Sequence, residues 1–219
     1  KIIIPKGWFI PVSAGTKFVT LGGAVANDIH GKNHHNKGSF GNSVESFEIL
    51  LSNGKVLNCS KDNNIELFNA TIGGLGLTGL ILSVKIQLIK ISNQFIETGS
   101  IRFYSLDEFL EINREMEKKY EYTVAWVDFN PSNSYKLRGV YLYGNHSEEQ
   151  NIKKSLSSNK FKISVPFTPP VSLVNNLTLS LLNSFYFSIN KNKNTKLQSY
   201  KSFFFPLDII KNWNKAYGV

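Results

Sequence analysis

A cluster of histidines lies in the first part of this 219-residue chain. Three of the chain's four histidines, His30, His34 and His35, lie within six positions and share the segment with Asp28 and Lys32. Imidazole and ammonium groups side by side suit the wall of an active site that meets hydroxyls or a phosphate. The same residues could instead make structural hydrogen bonds in an irregular polar loop. A metal site is disfavoured, because Lys32 would place a cation among the ligands.

Two glycine-rich segments flank this cluster in the sequence. Gly22 and Gly23 are followed by the small Ala24 and Ala26, which leaves a backbone with little side-chain bulk. Such a backbone can pass against a pyrophosphate or a flat ring, or make a tight turn against a helix. The second segment, 73–79, follows a predicted helix at 65–71 and precedes a strand. A Rossmann fingerprint has the opposite order, strand and then helix, so the segment does not predict nicotinamide binding.

Composition excludes several other classes of protein. The formal net charge of +9, from 25 basic and 16 acidic residues, suits nucleic acid, an anionic membrane or a phosphorylated small molecule. We find no helix-turn-helix, zinc-finger or RNP pattern, so we expect no nucleic-acid partner. The single cysteine, Cys59, excludes a disulfide framework and a thiolate zinc site. There is no Gly-x-Ser-x-Gly motif of a serine hydrolase.

Short strands dominate the predicted structure of residues 1–93. Two strands at 44–51 and 55–59 flank Asn53-Gly54, which predicts a hairpin with a type I′ turn. A further strand at 80–91 alternates polar residues with apolar ones, which we expect on its buried face. These apolar residues are Leu82, Val84, Ile86 and Leu88.

The pattern changes after residue 94. Ser105 and Glu108 have the spacing of a capping box, and apolar residues then recur at helical intervals at Phe109, Ile112, Met116 and Tyr120. Strands are predicted at 122–129 and 138–143. Helices and strands mix without a strict βαβ order, which favours an α+β fold.

A lysine-rich span lies between Glu149 and Asp208. It contains eight lysines and no acidic residue, and it encloses the uncharged stretch 164–190. Such a span is typical of a solvated surface, and it would also suit contact with a membrane or a phosphate. We find no signal peptide, and polar residues in the least polar long stretch make a transmembrane helix energetically unfavourable. We therefore expect a soluble, cytoplasmic protein.

Several motifs, taken together, resemble one family. Those in the first part are Pro11-Val-Ser-Ala-Gly-Thr16, Leu21-Gly-Gly-Ala-Val-Ala-Asn-Asp-Ile-His-Gly-Lys-Asn-His-His35 and Gly38-Ser-Phe-Gly-Asn42. Those further on are Ala70-Thr-Ile-Gly-Gly-Leu-Gly-Leu-Thr-Gly-Leu-Ile81, Ala125-Trp-Val-Asp128, Phe205-Pro-Leu-Asp208 and Trp213-Asn-Lys-Ala-Tyr-Gly218. In this order they resemble the decaprenylphosphoryl-β-D-ribose 2-oxidases, which belong to the vanillyl-alcohol-oxidase class with a PCMH-type FAD-binding domain.

The resemblance implies two domains. Residues 1–93 would be the second part of the FAD-binding domain, without its N-terminal subdomain. Residues 94–219 would be an antiparallel-sheet substrate or cap domain, without its C-terminal return to the flavin domain. The fold expectation is therefore α+β with both domains incomplete.

The resemblance also implies roles for individual residues. His30 and Lys32 match positions beside the flavin ring and the substrate, where they would be catalytic. Two residues match the substrate pocket: Trp126, and Phe204, which stands where the family has a tyrosine. The cofactor-binding positions are Gly15, Thr16, Gly22, Gly23, Asn27, Gly76 and Ile81. Asn27 departs from the small residue, often cysteine, of the family, and no metal is implied.

The implied reaction is oxidation of a sugar hydroxyl by non-covalently held FAD. A hydride would leave C2 of a lipid-linked ribose for the flavin, and a partner reductase would convert the resulting keto sugar to the arabinose epimer. Peripheral contact with a membrane would fit a lipid-linked substrate. The alternatives are oxidation of another sugar alcohol or an aldonolactone, or a basic binding module without catalysis.

Overall fold

The computed structural model describes residues 2–129, 137–149, 163–190 and 192–218. The chain divides into two compact units, Lys1–Ser92 and Asn93–Val219. Both units mix helices with antiparallel strands, in agreement with the predicted α+β class.

The first unit is built on a three-stranded antiparallel sheet with short helices. Its strands are β1 (Trp8–Phe9), β2 (Val44–Leu50), β3 (Val56–Ser60), β4 (Leu80–Ile86) and β5 (Ile89–Lys90). Its helices are α1 (Leu21–Ala26), α2 (His34–Lys37) and α3 (Ile65–Thr71). The main sheet has the order β3-β2-β4, and β1 pairs with β5 beside it. Because α2 includes His34 and His35, the second part of the histidine cluster is helical and not an irregular loop.

The core of this unit lies between the main sheet and helices α1 and α3. Val25 of α1, Phe47 and Ile49 of β2 and Phe68 of α3 are almost completely buried. The rings of Phe47 and Phe68 stack with centroids 5.2 Å apart. This packing fixes α1 on the sheet by its apolar side, while its glycines remain on a more accessible side.

The β2–β3 hairpin is confirmed, but its predicted turn type is wrong. Gly54 has a φ of +80°, which glycine tolerates, whereas Asn53 does not enter the left-handed region. The Gly54 N–H donates to the Leu51 carbonyl at 3.0 Å, and the Leu51 N–H donates to the Lys55 carbonyl at 2.9 Å. This is the three-residue hairpin loop that ends in a left-handed glycine, rather than a type I′ turn.

The strand predicted at 80–91 is interrupted, and Leu82 does not face the core. A register shift in the β2–β4 pairing takes Ile49 to Ile81 and Glu48 to Ser83, so Leu82 is the extra residue of a bulge. Leu82 is half exposed, whereas Ile81 packs against the core. A bulge changes the face to which a side chain points, which strict alternation cannot anticipate.

The second unit is built on a four-stranded antiparallel sheet. The strands of the unit are β6 (Phe95–Phe103), β7 (Tyr122–Asp128), β8 (Arg138–His146), β9 (Ile163–Ser164), β10 (Lys193–Ser199) and β11 (Ile210–Lys211). Its helices are α4 (Leu106–Lys119), α5 (Asn176–Ile189) and α6 (Tyr200–Phe204). The sheet has the order β10-β6-β8-β7, and β9 and β11 form a short parallel pair.

Helices α4 and α5 cover opposite faces of this sheet. Phe103 and Tyr141 point to the face on which the predicted apolar residues of α4 pack. Arg102 and Trp126, which belong to the alternate set, contact α5. Helix α4 begins as predicted, since the Ser105 hydroxyl accepts a hydrogen bond from the Glu108 N–H at 3.1 Å.

Candidate functional site

Helix α1 brings the first glycine-rich segment onto the sheet of the first unit. Thr20 caps its N-terminus, where the Thr20 hydroxyl accepts a hydrogen bond from the Gly23 N–H at 3.0 Å. Asn27 ends the helix and donates its side-chain amide to the Gly23 carbonyl at 2.9 Å. Asn27 is exposed beside this contact.

The second glycine-rich segment packs on the C-terminal end of α1. The Gly73 N–H donates to the Val25 carbonyl at 3.0 Å, and the Leu75 N–H donates to the Ala26 carbonyl at 2.7 Å. These bonds satisfy carbonyls that a helix end leaves without intrahelical partners. The two segments, distant in sequence, therefore form one continuous backbone surface.

The loop after α1 carries His30 and Lys32 and is held from both sides. The Asp28 carboxylate accepts a hydrogen bond from the Gly41 N–H at 2.8 Å, and His30 bridges to Ser39 as an isolated antiparallel pair. The buried Asn33 donates its side-chain amide to the Pro11 carbonyl at 2.8 Å. These contacts fix the position of the loop within the first unit.

Segment 11–15 passes directly beneath this loop. A Cβ placed on Gly31 would lie 2.8 Å from the Ser13 backbone oxygen, so only glycine allows this approach. Gly15 and Thr16 follow two and three residues after this contact. The Thr16 hydroxyl accepts a hydrogen bond from the Phe18 N–H at 3.3 Å.

The two predicted catalytic side chains have different surroundings. His30 is exposed, and its ring centroid lies 6.3 Å from that of His34. Lys32 is partly buried, and this loss of hydration lowers the pKa of its ammonium group to about 8. A cation held partly out of water interacts strongly with a nearby anion or developing negative charge. The loop therefore offers an accessible imidazole and a desolvated ammonium group.

The glycines of this surface are not all required by internal packing. A Cβ on Gly15 would meet nothing within 4 Å, and a Cβ on Gly22 would meet Ile81 only at an ordinary 3.7 Å. The backbone of neither residue is in the left-handed region. Gly76 differs, because its φ of +77° favours glycine by itself. The open space beside Gly15 and Gly22 fits a ligand that approaches the backbone.

The predicted substrate-binding residues lie in the second unit. Trp126 of β7 is partly exposed, and its ring packs against Tyr186 of α5 with centroids 4.8 Å apart. Phe204 of α6 is 1% exposed, and its ring meets Tyr122 edge to face at 4.9 Å. The structure therefore places Trp126 at a partly accessible face and Phe204 in an aromatic cluster.

Sequence reasoning missed the residues that position the His30–Lys32 loop. The side chains of Asp28 and Asn33 bond backbone groups of Gly41 and Pro11, and Ser13 meets Gly31 through its own backbone; these partners come close only in the folded chain. The asparagine and aspartate of this polar segment are the local signal, since such side chains often bond nearby backbone groups. Within the described residues, no three His, Cys, Asp or Glu side chains are placed to hold a metal ion.

Comparison with known proteins matches the part of the chain that carries this surface to an FAD-binding family. The family described as "FAD binding domain" matches residues 1–60, which contain α1 and the His30–Lys32 loop. The whole chain is 34% identical over 227 aligned residues to decaprenylphosphoryl-beta-D-ribose oxidase of Mycolicibacterium smegmatis, of which it covers 49%. Residues 1–60 therefore match an FAD-binding family, and the chain as a whole is similar to decaprenylphosphoryl-ribose oxidase.

More distant relatives share only part of the chain. Cytokinin dehydrogenase 5 of Arabidopsis thaliana is 24% identical over 65% of the chain, which covers 28% of that protein. Delta(24)-sterol reductase of the same plant is 26% identical over 69% of the chain, which again covers 28% of the relative. The chain thus spans about half the length of decaprenylphosphoryl-ribose oxidase and less of the others. The match at residues 1–60 gives FAD as the cofactor, and the three relatives named above are oxidoreductases by name.

Proposed function

We propose that this chain is part of an FAD-dependent oxidoreductase that oxidises the C2 hydroxyl of a polyprenylphosphoryl ribose to a ketone. The reaction would serve the synthesis of cell-wall or polysaccharide precursors. The observation that carries the proposal is the open glycine surface at Gly15 and Gly22, beside a loop with an exposed imidazole and a desolvated ammonium. Similarity to a ribose oxidase over the whole chain supports this substrate class.

The FAD-contacting residues lie on or beside α1 in the first unit. Gly15, Gly22 and Gly23 would let the backbone approach the cofactor, and Thr16 and Asn27 would add polar contacts. Gly76 and Ile81 belong to the second glycine-rich segment and the strand after it. When bound, FAD would supply the acceptor for the hydride that leaves the sugar carbon.

His30 and Lys32 would manage the charge on the reacting hydroxyl. His30 is exposed and would accept the hydroxyl proton, while its loop is held in place through Ser39. The Lys32 ammonium would stabilise the negative charge that develops on the oxygen as the proton leaves. The carbon–oxygen bond gains its double-bond character as the hydride departs, so the product is a keto sugar.

The two units would divide the work. We assign residues 1–93 to FAD binding and residues 94–219 to the substrate. Trp126 would line the substrate pocket, and Phe204, which is 1% exposed, would support the pocket from the aromatic cluster around Tyr122. The keto sugar would pass to a partner reductase.

Peripheral contact with a membrane would bring the enzyme to its lipid-linked substrate. Of the lysines in the lysine-rich span, Lys153, Lys154, Lys160, Lys162 and Lys191 lie outside the described residues.

Two glycine substitutions with opposite expected effects on stability and FAD affinity test the FAD surface in the complete protein. Gly15→Ala meets open space with an unstrained backbone, so it should keep the apoprotein's stability but weaken FAD affinity about tenfold or more. Gly54→Ala strains the hairpin loop at a φ of +80°, so it should cost about 1 kcal/mol of stability without changing FAD affinity. Denaturation of apoprotein and FAD titration measure both quantities. Unchanged FAD affinity in Gly15→Ala would contradict the proposed surface.

A second experiment tests the catalytic roles. His30→Ala or Lys32→Ala should lower kcat/KM for a polyprenylphosphoryl ribose about tenfold or more, equivalent to at least ~1.4 kcal/mol of transition-state stabilisation. The FAD content should stay constant, and His34→Ala, an exposed neighbour, serves as the matched control. Faster turnover of an aldonolactone or another sugar alcohol would overturn the substrate assignment while leaving the FAD chemistry intact.

A further inference from the structure

Helix α5 of the second unit packs on its sheet through polar side chains. The Asn183 side-chain amide donates to the Asp128 carboxylate at 2.8 Å, and the Arg138 guanidinium donates to the Ser184 hydroxyl at 3.0 Å. Asp128 and Arg138 also pair with each other at 2.9 Å, where both side chains are largely withdrawn from solvent. Buried polar groups that satisfy one another in this way fix the rotation of the helix about its axis.

A second arginine holds the C-terminal end of α5. The Arg102 guanidinium donates to the backbone carbonyls of Phe187, Ser188 and Asn190 at 2.5 to 2.9 Å. These are carbonyls that a helix end leaves without intrahelical partners, and the cation also complements the helix dipole. The Phe187 ring lies between two guanidinium groups, 4.5 Å from Arg102 and 4.9 Å from Arg138.

The opposite side of α5 is apolar and faces solvent. We call it the α5 apolar face and define it by five residues on that side of the helix. These are Leu177, Leu181, Leu182, Phe185 and Ile189. Each is about half exposed or more, and Leu177 reaches 71%. An ordinary surface helix turns its apolar side to the core and its polar side to water, so α5 has the inverse orientation.

Charge indicates what covers this face. Helix α5 lies within residues 150–207, which contain eight lysines and no acidic residue, whereas the rest of the chain has 17 basic and 16 acidic residues. Almost all of the net positive charge therefore comes from the segment that contains the helix. A second copy of this chain would bring like charges together. An anionic lipid surface would instead accept the apolar side chains and attract the lysines.

We propose that α5 docks on an anionic lipid surface with its apolar face inserted among the acyl chains. Its 14 residues extend over about 21 Å at 1.5 Å per residue, so it would lie in the plane of the interface. None of the helices in the described part of the chain is long and apolar enough to cross a membrane. The network of Arg102, Asp128 and Arg138 holds the apolar face outward. The inference builds on the proposed membrane contact and is independent of the proposed reaction.

Vesicle binding by the complete FAD-loaded protein tests this proposal without any substrate. We expect partitioning onto phosphatidylcholine vesicles that contain about one-third phosphatidylglycerol, and weaker binding in high salt or with phosphatidylcholine alone. The double variant Leu181→Ser/Phe185→Ser should lower the partition coefficient about tenfold or more. The matched control is Leu106→Ser, at a leucine exposed at the start of α4, and it should bind as the unaltered protein does.

Fluorescence locates the contact. In Phe185→Trp, the spectrum should shift to the blue on anionic vesicles, and lipids brominated on their acyl chains should quench the added tryptophan. Leu106→Trp should show neither effect. Vesicle binding that is absent, equal on neutral vesicles, or unaffected by the double variant would overturn the proposal.

Two further outcomes would reveal a different occupant and also overturn it. If the double variant reduces the oligomeric state in solution, a second copy covers the face. If it lowers the melting temperature of the lipid-free protein, another part of the same protein covers it. Turnover of a substrate without a lipid tail does not require membrane binding. It therefore tests the proposed reaction separately from the docking of α5.

Discussion

Replacing Lys32 by methionine should stabilise the apoprotein. Methionine keeps the length of the side chain but carries no charge, so the variant avoids placing an ammonium group partly out of water. Burial lowers the Lys32 pKa from 10.5 to about 8. At about 1.4 kcal/mol per pKa unit, this shift corresponds to a penalty of roughly 3 kcal/mol at neutral pH. We therefore expect the free energy of unfolding of Lys32→Met to exceed that of the unaltered apoprotein by up to this amount.

The pH dependence follows from the direction of the shift. The unfolded chain keeps its proton on Lys32 up to about pH 10.5, whereas the folded chain loses it near pH 8. Between these values the unfolded state binds more protons, so the stability of the unaltered protein rises with pH. The advantage of Lys32→Met should therefore be full below about pH 8 and disappear as the pH approaches about 10.5.

Urea denaturation of the apoprotein at about pH 7 and about pH 10 measures this difference, within the range where the fold survives. Lys37→Met, at an exposed lysine of α2, is the control and should change stability by no more than about 0.5 kcal/mol at either pH. Equal stability of Lys32→Met and the unaltered apoprotein at neutral pH would refute the claim that Lys32 is desolvated.

Two other substitutions test the second unit. Burial lowers the pKa of His146 to about 4, so its neutral form supports the fold above about pH 6.5, and this support is lost as the pH falls toward 4. From pH 7 to 4 the unaltered protein should therefore lose roughly 3 kcal/mol more than His146→Gln, with His34→Gln as an exposed control in acid titration. Asp128→Ala leaves Arg138 buried without its carboxylate and should cost about 3–5 kcal/mol in urea denaturation. Glu115→Ala removes an exposed pair and should cost at most about 0.5 kcal/mol; equal losses would contradict the ranking by burial.

Local signals in the sequence determined much of the secondary structure. The Ser105 capping box predicted the start of α4, and its helical spacing predicted the side that packs, because both signals act within a few residues. The position of the β2–β3 hairpin followed from Asn53-Gly54, since glycine tolerates positive φ. The order of helix, glycine-rich loop and strand around residues 73–79 was also predicted from the sequence, and this order excluded a Rossmann loop.

Contacts between distant residues decided the rest of the fold. The pairing of β4 with β2 contains a bulge at Leu82. Ile81 therefore faces the core, although strict alternation predicted Leu82 there. The turn type also depended on how the two strands closed, and Asn53 did not take the left-handed conformation that a type I′ turn needs. Alternation and dipeptide preferences describe one strand at a time, whereas register belongs to a pair of strands.

The sequence by itself determined which chemical groups the protein possesses, and the tertiary structure decided how they are presented. His30 and Lys32 could be singled out by residue type and by family resemblance, but the lowered Lys32 pKa required burial that only the folded loop provides. Helix α5 is the clearest example. Arg102, Asp128 and Arg138 come from three strands, and together they turn the polar side of α5 inward. No pattern within a single helix could predict this orientation, because the free energy that fixes it arises from partners elsewhere in the chain.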